Sequence, residues 1–167
     1  MTKFNADTVD QFMDAAKKKF GGNNLGETDA HPAYNYAFKG GKLTKLVFTC
    51  PVTLDFAEVG GGKPDSANKD AIAKIAKLAE DHENKHKAGY EAAFKKFDPN
   101  TTAKELMAKS FKDDKEAKKT IEAKFKELKD ALLQACLDLH KREGLILVTP
   151  SLDIQVKAAG SSGCDVF

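Results

Sequence analysis

Apolar side chains recur every three or four positions in several stretches of the chain, and this spacing puts them on one face of a helix. Glycine pairs, proline and capping residues mark the ends of these stretches. The longest stretch follows a Gly/Pro-rich turn and stops at Asp98-Pro99. Four helices are predicted, over residues 7–20, 66–97, 101–110 and 113–142.

Alternation of apolar and polar residues predicts strands between the first two helices. Residues 34–38 form a short strand, and Gly40-Gly41 after it suits a two-residue hairpin turn. The return strand is long, over 46–56. Pro51 lacks a backbone donor, so we expect this strand at or near a sheet edge. The other predictions are a loop at 27–33, short strands at 145–148 and 152–156, and a flexible tail at 158–167.

These elements predict the α+β class, with a small antiparallel sheet packed on two long helices. The 167 residues, of which 41% are apolar, suit a single domain over 1–167. The net charge is only +2, which argues against a nucleic-acid partner. No apolar run has the length of a membrane span, and residues 1–10 lack a signal-peptide core. We therefore expect a chain that is cytoplasmic, already processed, or exported by a route without such a signal.

The three cysteines are widely spaced, and their odd number predicts no disulfide framework. Cys50 and Cys136 fall on apolar stripes, so we expect both to be buried free thiols. Cys164 lies in a Gly/Ser-rich stretch, where we expect it to be exposed.

Residues 82–86 read His-Glu-Asn-Lys-His, the H-E-x-x-H pattern of zinc hydrolases. Residues four apart lie above one another on a helix, so His82 and His86 can bind one cation through their imidazoles. Glu83 is then turned toward a water on that cation and can take its proton. The alternative is a pair of core histidines, whose buried polar atoms would need other partners.

A catalytic zinc has three protein ligands and a water, so a third ligand is expected. His140 is the first choice, because two antiparallel helices would bring it to the face of His82 and His86. It could instead be a helix-terminal histidine that interacts with the helix dipole. The acidic alternatives, all within the two long helices, are Asp138, Glu91, Glu80 and Asp81.

The order of these parts resembles a bacterial domain family of unknown function whose members are described as zinc-dependent proteases. The resemblance spans roughly residues 34–144, and Leu78 to His86 carry most of it. In that family the second helix ends in a Tyr-Asp pair shortly before a glycine. Here Leu139-His140 precedes Gly144, so the resemblance implies that His140 takes the place of the aspartate. It also implies a zincin-like fold.

The function expected from these residues is that of a zinc-dependent metallohydrolase, foremost a metallopeptidase acting on a peptide or protein substrate. His82, His86 and His140 would hold the zinc, and Glu83 would be the catalytic base. The alternating strand over 46–56 is the expected place for an extended peptide to pair. Two alternatives stay open: a non-catalytic binding module stabilised by zinc, and a helical interaction protein without metal.

Overall fold

Four helices form within residues 1–160 and 164, the part of the chain that this computed structural model describes. They are α1 (Val9–Phe20), α2 (Ser66–Phe97), α3 (Pro99–Met107) and α4 (Asp114–His140). α2 has the predicted bounds. Asp98 ends it in a left-handed conformation and accepts the backbone N–H of Thr101 at 3.1 Å, so the same residue caps α3. α3 therefore begins before the predicted cap at Thr101 or Thr102.

The two long helices, α2 and α4, pack against each other in opposite directions. His86 of α2 lies beside His140 of α4, and one turn later Gly89 lies beside Ala135. Fully buried apolar residues, among them Leu128 and Leu132, fill the contact. The end of α4 is thereby held against the middle of α2.

A single long hairpin, interrupted in its middle, supplies four strands. They are β2 (Gly26–Ala30), β3 (Ala33–Lys39), β4 (Lys42–Thr49) and β5 (Val52–Val59). The turn is Gly40-Gly41, as predicted, with positive φ at both residues. Ala33 pairs with Thr49, and Ala30 with Val52, so the register is the same on both sides of the interruption. Pro32 and Pro51 lie at the break, where neither has to donate to a ladder.

Two predictions about these strands are wrong, and a third holds only in part. The strand over 46–56 is two strands, because Pro51 ends the β4 ladder. The segment 27–33, predicted as a loop, is largely the strand β2. Its residues are mostly polar, but the hairpin register pairs them with β5. The position at a sheet edge holds for β4, one of two strands in its sheet, but β5 is a central strand, between β2 and an N-terminal strand, β1 (Thr2–Phe4). β1 pairs in parallel with β5, and this non-local pairing leaves no local pattern.

A second hairpin follows α4, with strands β6 (Gly144–Val148) and β7 (Ile154–Ala158). The α+β class is confirmed, although the described part of the chain forms three small sheets in place of the single antiparallel sheet that was predicted. Most of the predicted flexible tail, at 161–163 and 165–167, lies outside the described residues. Of its other members, Ala158 ends β7 and Cys164 is buried. None of the described helices combines the length and apolar character that crossing a membrane requires.

Candidate metal centre

Three histidines meet where the end of α4 contacts the middle of α2. His82 and His86 lie one turn apart on α2, and His140 is the last residue of α4. The Nε2 atom of His86 lies 3.1 Å from that of His82 and 2.9 Å from that of His140. His86 and His140 are buried, and His82 is half-buried. The structure thus brings together the three histidines that the sequence singled out.

This convergence of ring nitrogens fits a metal ion. The Nε2 atom of His86 faces two neighbours, but a neutral ring nitrogen is either one donor or one acceptor. Hydrogen bonding among the rings therefore leaves one contact unsatisfied. Nitrogen ligands of a tetrahedral zinc lie roughly 3.3 Å apart, close to the spacing found here. One ligand atom from each histidine fits within 4.8 Å of the other two, so the group is a candidate site for a divalent ion.

The outer nitrogens of the same rings argue against satisfied core histidines. The Nδ1 atoms of His82 and His86 are buried, and no described residue forms a hydrogen bond with either. An unpaired buried polar atom costs about 1–3 kcal/mol. The two rings therefore oppose folding unless another interaction, such as binding a metal, offsets this cost.

Burial keeps two of these imidazoles uncharged. The pKa of His82 is lowered to about 4, mainly because the ring is removed from water and secondly because His140 is nearby. The pKa of His86 is lowered to about 3. Removal from water is the largest cause, and the neighbouring His82 and His140 add smaller effects in that order. Both rings are neutral at pH 7, which is the form that donates a lone pair to a metal.

Glu83 lies next to His82 in the chain and is buried against β2. Its Oε2 atom accepts a hydrogen bond from the Thr28 hydroxyl at 2.7 Å, and the same hydroxyl lies 3.2 Å from the backbone oxygen of Glu83. Desolvation raises the pKa of Glu83 to about 7, although the bond from Thr28 lowers it. A carboxyl group with this pKa can both take and return a proton near neutral pH.

A cavity of about 600 Å³ opens onto the histidines and Glu83. Residues 25–29, including most of β2, line one side, and the start of β6 lines another. Lys85 and Glu143 also line it and form an ion pair of 2.8 Å. The cavity therefore connects the candidate metal site with a strand edge and with paired charges.

The acidic alternatives to His140 lie outside the histidine group. Each has a partly exposed side chain and forms an ion pair with a lysine three or four positions away: Asp138 with Lys141, Glu91 with Lys87, and both Glu80 and Asp81 with Lys77. Tyr90 is buried, as a core residue would be, and its ring lies 6.0 Å from that of His86.

The predictions for two of the three cysteines are wrong. Cys136 and Cys164 form a disulfide, and Cys164 is buried instead of exposed. The pairing was missed because 28 positions separate the two residues, and only the packing of the C-terminal segment on α4 brings them together. The sequence did contain one signal that Cys136 lies near the candidate metal site, because it precedes His140 by four positions and so shares its helix face. Cys50 is free, as predicted, and is half-buried.

Gly26 of β2 has no side chain, and the Glu83 side chain occupies the space that one would fill. A Cβ atom at Gly26 would lie 2.5 Å from Cγ of Glu83, so Gly26→Ala forces that side chain to move. We expect the free energy of unfolding to fall by about 1–3 kcal/mol, the usual cost of overpacking. Urea denaturation measures it.

The matched control for this prediction is Gly89→Ala on α2. The nearest atom there, Cβ of Ala135, would be 3.8 Å away, an ordinary contact. This variant should gain about 0.5–1 kcal/mol, because alanine replaces glycine within a helix. Equal stability of the two variants would contradict the close approach at Gly26.

The site thus combines three imidazole nitrogen donors, a buried carboxyl group and a cavity that reaches both. The nitrogen atoms are suited to binding a cation, and the carboxyl group is suited to moving a proton at the same cavity. Comparison of the chain with protein-family models, with curated proteins and with solved structures finds no match.

Proposed function

We propose that this protein is a zinc-dependent metallohydrolase, foremost a metallopeptidase. The observation that carries the proposal is the meeting of His82, His86 and His140 through their Nε2 atoms at a cavity that Glu83 also lines. Imidazole nitrogens suit several transition metals, including copper, iron and nickel. Three histidines with an open side toward a cavity are, however, the typical ligand set of a catalytic zinc.

In this proposal each residue has a defined task. His82, His86 and His140, which line the cavity, would hold the zinc. A bound zinc lowers the pKa of its water and polarises a carbonyl oxygen. Glu83 would accept a proton from water as general base and later return it to the leaving amine. The Thr28 hydroxyl, bonded to Oε2 of Glu83, fixes the orientation of that carboxyl group.

An extended peptide would bind along β2 in this proposal. The sequence-based expectation placed it on the strand over 46–56, but no residue of that stretch lines the cavity. β2 is an edge strand, and its residues line the cavity beside Glu83. Backbone groups of the peptide could add to that edge as a further strand.

The test is the digestion of casein and of a mixed peptide library by the zinc-loaded protein. We expect cleavage that stops when a chelator removes the metal and returns when zinc is added. The products should be read by mass spectrometry, so that the cleaved bonds are identified. Cleavage that persists undiminished in the metal-free protein would contradict the proposal.

A second candidate is a zinc-stabilised binding module without catalysis. The deep burial of Glu83 and its bond to Thr28 favour this candidate, because a committed carboxyl group is less available to water. It predicts one bound zinc and higher stability with the metal, but no cleavage of any peptide. The same digestion therefore separates the two functions.

A further inference from the structure

A buried disulfide lies directly beside one of the three histidines. Cys136 precedes His140 by one helical turn on α4, and its Cα atom lies 5.8 Å from that of Cys164. The Sγ atom of Cys164 is 3.3 Å from Nδ1 of His140. Cys136 is 1% exposed and Cys164 9% exposed, so water has little access to this contact. The disulfide therefore holds a sulfur atom against the outer nitrogen of His140.

The same C-terminal segment also holds the backbone of His140. The backbone N–H groups of Ala159 and Gly160 donate to its carbonyl oxygen, at 3.0 and 3.2 Å. This carbonyl belongs to the end of α4, where helix carbonyls lack partners in the helix. Both the main chain and the ring of His140 are thus fixed by residues that follow β7.

The chemistry of the sulfur decides where the ring hydrogen of His140 lies. A disulfide sulfur carries no hydrogen and can only accept. A hydrogen bond from Nδ1 to this sulfur puts the ring hydrogen on Nδ1 and leaves the lone pair on Nε2. Nε2 is the atom that lies 2.9 Å from the Nε2 atom of His86, within the histidine group. A free thiol could instead donate its S–H to Nδ1, which would move the ring hydrogen to Nε2 and block its lone pair.

We propose that Cys164, held by its disulfide to Cys136, is a positioning residue for His140, and that reduction of this disulfide weakens metal binding by the three histidines. In the reduction a dithiol supplies two electrons and two protons. The S–S bond becomes two thiols, and the dithiol becomes a disulfide. The proposal rests on the zinc site of the proposed function, but not on peptide hydrolysis. Metal-bound histidines in general depend on such outer partners, whose loss costs about 10–100-fold in affinity.

The first experiment compares zinc affinity in three forms of the full chain: oxidised, reduced with a phosphine, and the double variant Cys136→Ala with Cys164→Ala. A phosphine is used because dithiols themselves chelate zinc. We expect affinity to fall about 10–100-fold in the reduced form and in the double variant. Cys50→Ala, at the free cysteine, keeps the disulfide, so its zinc affinity should equal that of the wild type in the oxidised form and fall with it after the phosphine treatment.

A second measurement detects the position of the ring hydrogen, which a merely structural disulfide would not set. Nitrogen-15 NMR of the oxidised, zinc-free protein should show His140 with its hydrogen on Nδ1. This reading needs no variant, so it tests the proposal even if the reduced protein does not fold. A hydrogen on Nε2 in the oxidised protein would overturn the proposal.

The other outcomes are equally decisive. Equal zinc affinity in the oxidised and reduced forms overturns the positioning role but leaves the zinc site intact. No zinc binding by the oxidised protein contradicts the proposed function itself. A thiolate-to-metal absorption band after cobalt is added to the reduced protein would show that the cysteines become ligands, which also overturns the positioning role.

Discussion

Replacing Glu83 by glutamine is expected to abolish hydrolysis while the metal stays bound. Glutamine has nearly the same shape as glutamate, and its carbonyl oxygen can still accept the hydrogen bond that the Thr28 hydroxyl donates to Glu83. It cannot take a proton, so the general-base step is lost. General acid–base catalysis contributes typically about 10²–10⁴-fold, and we expect kcat to fall by that factor. Peptide digestion followed by mass spectrometry measures it.

The matched control for Glu83→Gln is Glu91→Gln on the same helix. The Glu91 side chain is 59% exposed and pairs with Lys87 at 3.9 Å, so the change removes an acid without touching the cavity. Its cleavage rate and zinc content should equal those of the wild type. If Glu83→Gln cleaves as fast as Glu91→Gln, Glu83 is not the base, and the binding module becomes the better account of this site.

Replacing His86 by alanine is expected to remove the metal almost completely. His86 is the central member of the group, because its Nε2 atom faces those of both His82 and His140. Loss of an outer partner of a metal ligand costs about 10–100-fold in affinity, and loss of the ligand itself should exceed the upper end of that range. His140→Ala should weaken zinc binding by at least about 10-fold. Elemental analysis and competition with a zinc-binding dye measure both.

Thermal unfolding gives an independent reading of the same site. Zinc at about 1,000 times its Kd stabilises the folded state by about 4 kcal/mol. In a chain of this size each kcal/mol shifts Tm by about 2–4 °C, so a chelator should lower the Tm of the wild type by about 8–16 °C. His86→Ala should not respond to the chelator.

The control for the histidine variants is His31→Ala, at the one histidine of the sequence that is not a member of the group. His31 is exposed, and its Nε2 atom lies 3.1 Å from the Thr53 hydroxyl. Its loss should change neither zinc content nor the effect of the chelator on Tm. Retention of zinc by His86→Ala at wild-type affinity would show that the metal binds elsewhere.

The helices and part of the site could be predicted from the chain because their geometry is local. α2 has the expected bounds, since its apolar period and the capping residues act over a few positions. The same helix geometry places His82 and His86 one above the other, whatever surrounds them. The choice of His140 needed one further assumption, that the long helices run antiparallel, and their packing agrees with it.

Three features depended on contacts between distant parts of the chain. β1 and β2 carry no clear alternation, and only pairing with β5 makes them strands. The Cys136–Cys164 disulfide required the C-terminal segment to return to α4. The bond from Thr28 to Glu83 required β2 to lie against α2.

The amino-acid sequence by itself determined the helices, the hairpin turn at Gly40-Gly41 and the stacked pair of histidines, because neighbouring residues set backbone conformation and side-chain spacing. Tertiary structure alone decided which strands pair with β5, which cysteines join and what contacts the outer nitrogen of His140. The physical reason is that these partners are separated by tens of residues. Their meeting depends on how whole elements bury their apolar faces, which no short stretch of the chain encodes.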